Sequence, residues 1–179
     1  MLLAIRESAW CWPFGLANAA LYLVVFAHSR LYGSAGLQGV YVALSVYGWY
    51  AWLHGGAGDS RLAVSRTPAR WAAGLAAAAA VASAGFGLFL RLRTNAALPF
   101  VDGAATACSL AAQWMVTRKF LENWLVWIAV DVVYVLMYLS QRLYPTVALY
   151  AVYLVMAVLG YREWRASLAR EGHPSQSAA

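Results

Sequence analysis

What most constrains this chain is a succession of apolar runs, each about the length of a bilayer crossing. They cover residues 12–28, 32–53, 69–90, 98–117, 123–140 and 144–161. Roughly 20 apolar residues in a helix span the hydrocarbon core. The composition agrees, with 63% hydrophobic and only 11% charged residues, where soluble domains carry about 25% charged. The expected fold class is an all-α integral membrane protein. The net charge of +6 is scattered between the apolar runs, which suits membrane topology signals and not a nucleic-acid surface.

The chain also repeats itself. A gapless shift of 112 residues lays Arg6 on Arg118, Trp12 on Trp124, Ala17 on Ala129 and Tyr22 on Tyr134. The same shift lays Leu31-Tyr32 on Leu143-Tyr144, Leu37 on Leu149, Tyr41 on Tyr153, Gly48 on Gly160 and Trp52 on Trp164. A period this long signals a duplicated structural unit. The unit is three helices, 98–117, 123–140 and 144–161 in the second half. The first half supplies 12–28 and 32–53, while residues 1–5 are all that stands in for its leading helix. The expectation is that the natural start lies upstream of Met1, or that a neighbouring subunit or another segment fills the gap.

One helix, 69–90, links the halves after a polar, glycine-rich linker, 54–68, in which Gly55-Gly56-Ala57-Gly58 reads as a flexible turn and which ends in the helix-starting Pro68. An odd number of linking helices makes the repeats parallel about an axis along the membrane normal, a transporter signature with the site between the halves. The expected organisation is therefore a 3+1+3 arrangement with its first helix truncated. It comprises a first bundle over 1–53, linker and linking helix over 54–97, a second bundle over 98–164 and a cytoplasmic tail over 165–179 that frays. With the C-terminus in the cytoplasm, the inner segments hold nine Lys or Arg and the outer loops hold Arg30, Arg91, Arg93 and Arg142. That bias favours this orientation.

Polar residues inside the spans mark the candidate site. Trp124, Trp127 and Asp131 sit at i, i+3 and i+7 and so share one helix face. A carboxylate in such a run costs roughly 2.5–3.5 kcal/mol to insert, so it should face protein or a wet cavity. Indole faces attract cations, and a carboxylate adds the opposite charge. The stripe reads as a cradle for a small, flat cation. The plainer alternative makes the tryptophans interfacial anchors and leaves Asp131 to a neighbouring partner.

On 98–117, Asp102, Thr106, Ser109 and Gln113 form one polar face, facing the same cavity or serving interhelical hydrogen bonds. In the first half Asn18 and Gln38 are amides suited to hydroxyls or a carboxamide, or to helix–helix bonding. Tyr41 and Asn123 complete the candidate substrate contacts, and Tyr22, Tyr47 and Tyr134 are further aromatic walls or belt residues. Trp10, Trp12, Trp49, Trp52, Trp71 and Trp164 lie near segment ends and read as interfacial anchors.

Cys11, Cys108, His28, His54 and His173 show no metal-ligand spacing, and Gly55-Gly56-Ala57-Gly58 follows no strand, so it is no phosphate loop. A membrane enzyme would need an acid, base, nucleophile or metal set, which these residues do not assemble. A carrier of neutral sugar would not require Asp131. No cofactor and no metal are expected.

The stretches W-C-W-P-F-G at 10–15, L-Y-G at 31–33, Y-G-W-Y-A-W at 47–52 and R-K-F-L-E-N-W-L-V-W-I-A-V-D at 118–131 resemble the nicotinamide riboside transporter family, PnuC. The W-x-x-W-x-x-x-D pattern, met by Trp124, Trp127 and Asp131, is its most specific piece. The resemblance implies a seven-helix, SWEET-like fold in a bacterial inner membrane. It also implies facilitated diffusion of an unphosphorylated vitamin, trapped by cytoplasmic phosphorylation. Nicotinamide riboside is a flat pyridinium cation with a ribose and a carboxamide, which fits the residues. Thiamine, carried by related transporters, is also a flat cation. The partners implied are the small cationic vitamin and the lipid bilayer, with no nucleic acid and with a homo-oligomer left open.

Overall fold

The computed structural model describes residues 1–30, 32–94 and 98–171. Leu31, which the repeat pairs with Leu143, and the tail from 172 with His173 lie outside the described residues. The chain forms α1 (Leu2–Ile5), α2 (Cys11–His28), α3 (Tyr32–His54), α4 (Ala69–Arg93), α5 (Pro99–Thr117), α6 (Asn123–Ser140) and α7 (Tyr144–Glu171). The helices fall on the apolar runs because their residues are good helix formers in lipid and their connections carry the breakers. Pro68 stands before α4 as its N-cap, and Pro99 opens α5 at its first turn.

Two expectations are corrected. Helix α7 does not fray after Trp164 but continues to Glu171, carrying Arg162, Arg165 and Arg170 beyond its apolar part. Long helical extensions of this kind are stabilised by good helix formers such as Arg, Leu and Ala. Among the described residues, four helices rather than six are long and apolar enough to cross a membrane by length and composition: α2, α4, α6 and α7. Helix α5 buries eight residues within the protein, including Ser109 and Thr117.

The helices pack in pairs, α2 on α3, α4 on α5 and α6 on α7, with α5 also against α6. Helix α1 touches α2 as its repeat counterpart α5 touches α6, and the two other contacts are exchanged between halves. Helix α1 packs on α7, and its repeat counterpart α5 packs on α3, the counterpart of α7. The hydrogen bonds repeat this exchange. Trp52 Nε1 donates to the Val116 carbonyl at 2.9 Å, and Trp164 Nε1 donates to the Ala4 carbonyl at 3.0 Å. Both donors and both acceptors are 112 residues apart.

Backbone geometry follows the same register. Glu7 and Lys119 adopt φ of 53° and 50°, and Arg30 and Arg142 both adopt 58°. Left-handed conformations are uncommon outside glycine, so their recurrence at one spacing reflects the duplicated chain path. The paired positions meet directly where Lys119 Nζ contacts Glu7 Oε2 at 2.8 Å and lies 4.8 Å from the Trp52 ring centre.

The core sits at this end and is built of tryptophans. Trp12 meets Trp52 edge-on at 5.4 Å, Trp124 meets Trp164 edge-on at 5.4 Å, and Trp52 and Trp164 touch at 5.9 Å. Trp12, Trp52 and Trp164, expected as interfacial anchors, are buried core residues instead. Their position near segment ends is real, but those ends converge inside the protein where the halves cross. Trp10, Trp49 and Trp71 are exposed, as anchors would be.

The linker is held rather than loose. Ser65 exchanges backbone hydrogen bonds with Lys119 and Leu121 at 3.1 and 2.9 Å. Glu122 Oε2 accepts from the Thr67 N–H at 2.8 Å and from Thr67 Oγ1 at 2.7 Å. Burial pushes the Glu122 carboxyl up, but these two bonds outweigh it and hold the group below the usual carboxylate range, with Arg66 assisting.

Candidate functional site

Each half sends one face of its helices toward a common cavity of about 460 Å³. From α2 come Cys11, Trp12 and Gly15, and from α3 come Leu37, Tyr41 and Ser45 at four-residue spacing. Helix α5 contributes Thr106, Ser109 and Gln113, and helix α6 contributes Trp124, Trp127, Asp131 and Tyr134. Helix α7 adds Tyr150 and Tyr153. The i, i+3, i+7 spacing on α6 and the 106–109–113 spacing on α5 are why these side chains share a wall.

Asp131 is 2% exposed, and its Oδ2 has no hydrogen-bond partner. A buried carboxylate oxygen without a donor is costly, and Trp12 Nε1 and Trp124 Nε1 on the same lining are likewise unpartnered. Trp127 is half-buried beside Asp131. Trp124 lines the cavity and also packs against its neighbouring helix. Its ring lies against Gly160, where an added Cβ would fall 2.6 Å from ring atoms, and its first-half counterpart Trp12 lies on Gly48 at 2.4 Å in the same way. Of the two cavity-lining indoles on α6, Trp124 is buried and Trp127 half-buried.

The structure brings Gln113, Trp124, Trp127, Asp131 and Tyr41 around one cavity. Three other candidates are not brought there. Asn18 is exposed, one position off the buried line of Trp12 and Ala19. Gln38 is half-buried and one position round α3 from Leu37, so it is turned from the cavity stripe. Asn123 is fully buried, and its Nδ2 donates to the Phe120 carbonyl at 2.6 Å, closing the turn into α6. Asp102 is also absent from the lining, while Ser109 spends its hydroxyl on the Ala105 carbonyl at 2.8 Å.

Sequence reasoning missed Trp12, Gly15, Ser45, Tyr150 and Tyr153. The 112-residue register contained the signal for most of them, since it maps Trp12 onto Trp124, Gly15 onto Trp127 and Tyr41 onto Tyr153. The tyrosines form a connected group, with Tyr150 at 4.7 Å from Tyr134, 5.4 Å from Tyr138 and 5.8 Å from Tyr153.

The family described as nicotinamide mononucleotide transporter matches residues 1–166. This chain belongs to that family. Within and around the transporter family, it is 29% identical over 179 residues to the riboflavin/roseoflavin transporter RibM of Streptomyces davaonensis, covering 97% of this chain and 83% of that one. It is 27% identical over 195 residues to the nicotinamide riboside transporter PnuC of Escherichia coli, covering 95% and 82%. The crystal structure of the vitamin B3 transporter PnuC superimposes with a TM-score of 0.67 at 24% identity, over 93% of this chain and 76% of that chain. The chain is thus a multi-helix membrane protein of a transporter family, not of an enzyme family, with the PnuC fold.

Proposed function

We propose that this chain is a uniporter for nicotinamide riboside, moving the vitamin down its gradient. The observation that carries the reading is Asp131, a buried carboxylate with an unpartnered oxygen on the wall of an aromatic cavity. The pyridinium ring stacks on Trp127 with its charge beside Asp131. Gln113, Ser45 and the tyrosine hydroxyls face the ribose and carboxamide. The relatives bearing the PnuC name support this substrate. Cytoplasmic phosphorylation of the product would then keep the gradient inward.

The reading includes a 3+1+3, SWEET-like arrangement. One three-helix unit rocks against the other about the pseudo-twofold axis marked by the exchanged Trp52 and Trp164 bonds. It also places the C-terminus in the cytoplasm of a bacterial inner membrane, from the distribution of Lys and Arg. A second reading, a neutral tricyclic flavin as substrate, is favoured by the relative named as a riboflavin transporter. Binding of nicotinamide riboside, thiamine, riboflavin and a monosaccharide to purified protein tests both. Tight binding of riboflavin alone, unaffected by Asp131→Asn, would replace the first reading with the second.

A further inference from the structure

The two halves line the cavity unequally at matched positions. The register that pairs Trp12 with Trp124 also pairs Gly15 with Trp127 and Ala19 with Asp131. One half therefore supplies an indole and a carboxylate where the other supplies a glycine and an alanine. Gly15 lines the cavity with Trp127 and the unpartnered Asp131.

Packing does not explain this glycine. Where packing requires glycine here, the geometry shows it, since a Cβ at Gly48 or Gly160 would fall 2.4 or 2.6 Å from an indole. At Gly15 a Cβ would meet only Ser45 Oγ, at 3.7 Å, an ordinary contact. Nor does the backbone explain it. Gly15 lies inside α2 and is not among the positive-φ residues, so alanine would serve the helix better. Gly36, Gly39, Gly74 and Gly85 are as free of packing need, but Gly15 alone of these five lines the cavity, where a side chain would take its space.

We propose that Gly15 is the specificity-determining position that sets how wide an aromatic ring system this cavity admits. The proposal rests on the transporter reading above. Opposite a flat ring held at Trp127, each carbon added at position 15 removes volume from the slot. A fused three-ring ligand loses its fit first, and a single pyridinium ring loses it last.

The test is equilibrium binding of riboflavin and nicotinamide riboside to purified Gly15→Ala and Gly15→Leu proteins, with thermal stability measured on the same samples. The expected result for Gly15→Ala is a midpoint equal to or above the wild type. Affinity for any three-ring ligand that the wild type binds falls at least about tenfold, as for one methyl group in a filled pocket, while the one-ring ligand changes less than about threefold. Gly15→Leu should lose the one-ring ligand as well. If Gly15→Leu folds and binds nicotinamide riboside as the wild type does, the proposal is overturned. Equal losses for both ligands in Gly15→Ala would also overturn it. Failure of the transporter reading looks different, because the wild type itself would then bind neither vitamin.

Discussion

Gly160→Ala places one methyl group where the structure leaves no room. The new Cβ would lie 2.6 to 2.7 Å from three atoms of the Trp124 ring, about an ångström inside ordinary contact. The ring has little freedom to retreat, because Trp164, fully buried, meets it edge-on at 5.4 Å. Overpacking of this kind costs about 1–3 kcal/mol. Replacing glycine by alanine inside a helix returns roughly 1 kcal/mol. With the contact this short the upper part of the overpacking range applies, so the net expectation is a loss of about 1–2 kcal/mol, roughly a five- to thirtyfold drop in the folded-to-unfolded ratio.

The assay is thermal unfolding in detergent followed by tryptophan fluorescence, with ligand affinity measured in parallel, since Trp124 also lines the cavity. Gly48→Ala, which meets Trp12 in the same way at 2.4 Å, should behave alike. Adding Trp124→Phe to Gly160→Ala should restore part of the loss, giving a coupling that distant sites do not show. A Gly160→Ala protein with an unchanged or raised midpoint and unchanged affinity would refute the argument that the tryptophan–glycine contacts are tight.

Three further outcomes are expected. Asp131→Asn should lower the affinity for a cationic ligand at least about tenfold, ~1.4 kcal/mol, and leave a neutral one unchanged in the same binding assay; an unaffected cation refutes charge recognition. Glu7→Gln leaves the Lys119 ammonium, 7% exposed, without its carboxylate, and should destabilise by about 3 kcal/mol or more, whereas Glu7→Gln with Lys119→Met should recover much of that loss in the same unfolding assay. Glu122 is held below the usual carboxylate range by Thr67, so its stabilising effect is present above that range and fades as the pH falls through the folded value; Glu122→Gln should flatten the acid side of the stability profile, and identical profiles would discount the linker clasp.

Much of the molecule was legible in the chain. The apolar runs placed α2 to α6 within a few residues, because the cost of unsatisfied backbone in lipid ties helix length to bilayer thickness. The W-x-x-W-x-x-x-D spacing placed Trp127 and Asp131 on one wall, because helical period is a local property. The 112-residue register made positions such as Trp12 and Trp124 equivalent, but only the structure showed that the halves exchange contacts and that Glu7 meets Lys119. What only the tertiary structure decided is which side chains that register buries. Trp12, Trp52 and Trp164 sit at helix ends, where an isolated span would put interfacial anchors. They are core because α1 crosses to α7 and α5 to α3, bringing those ends together inside the protein. The structure also leaves Asn18 exposed and puts Gly15 on the cavity wall. A single helix carries no information about the neighbour that will cover it, so side-chain fate follows from packing between halves and not from position along the span.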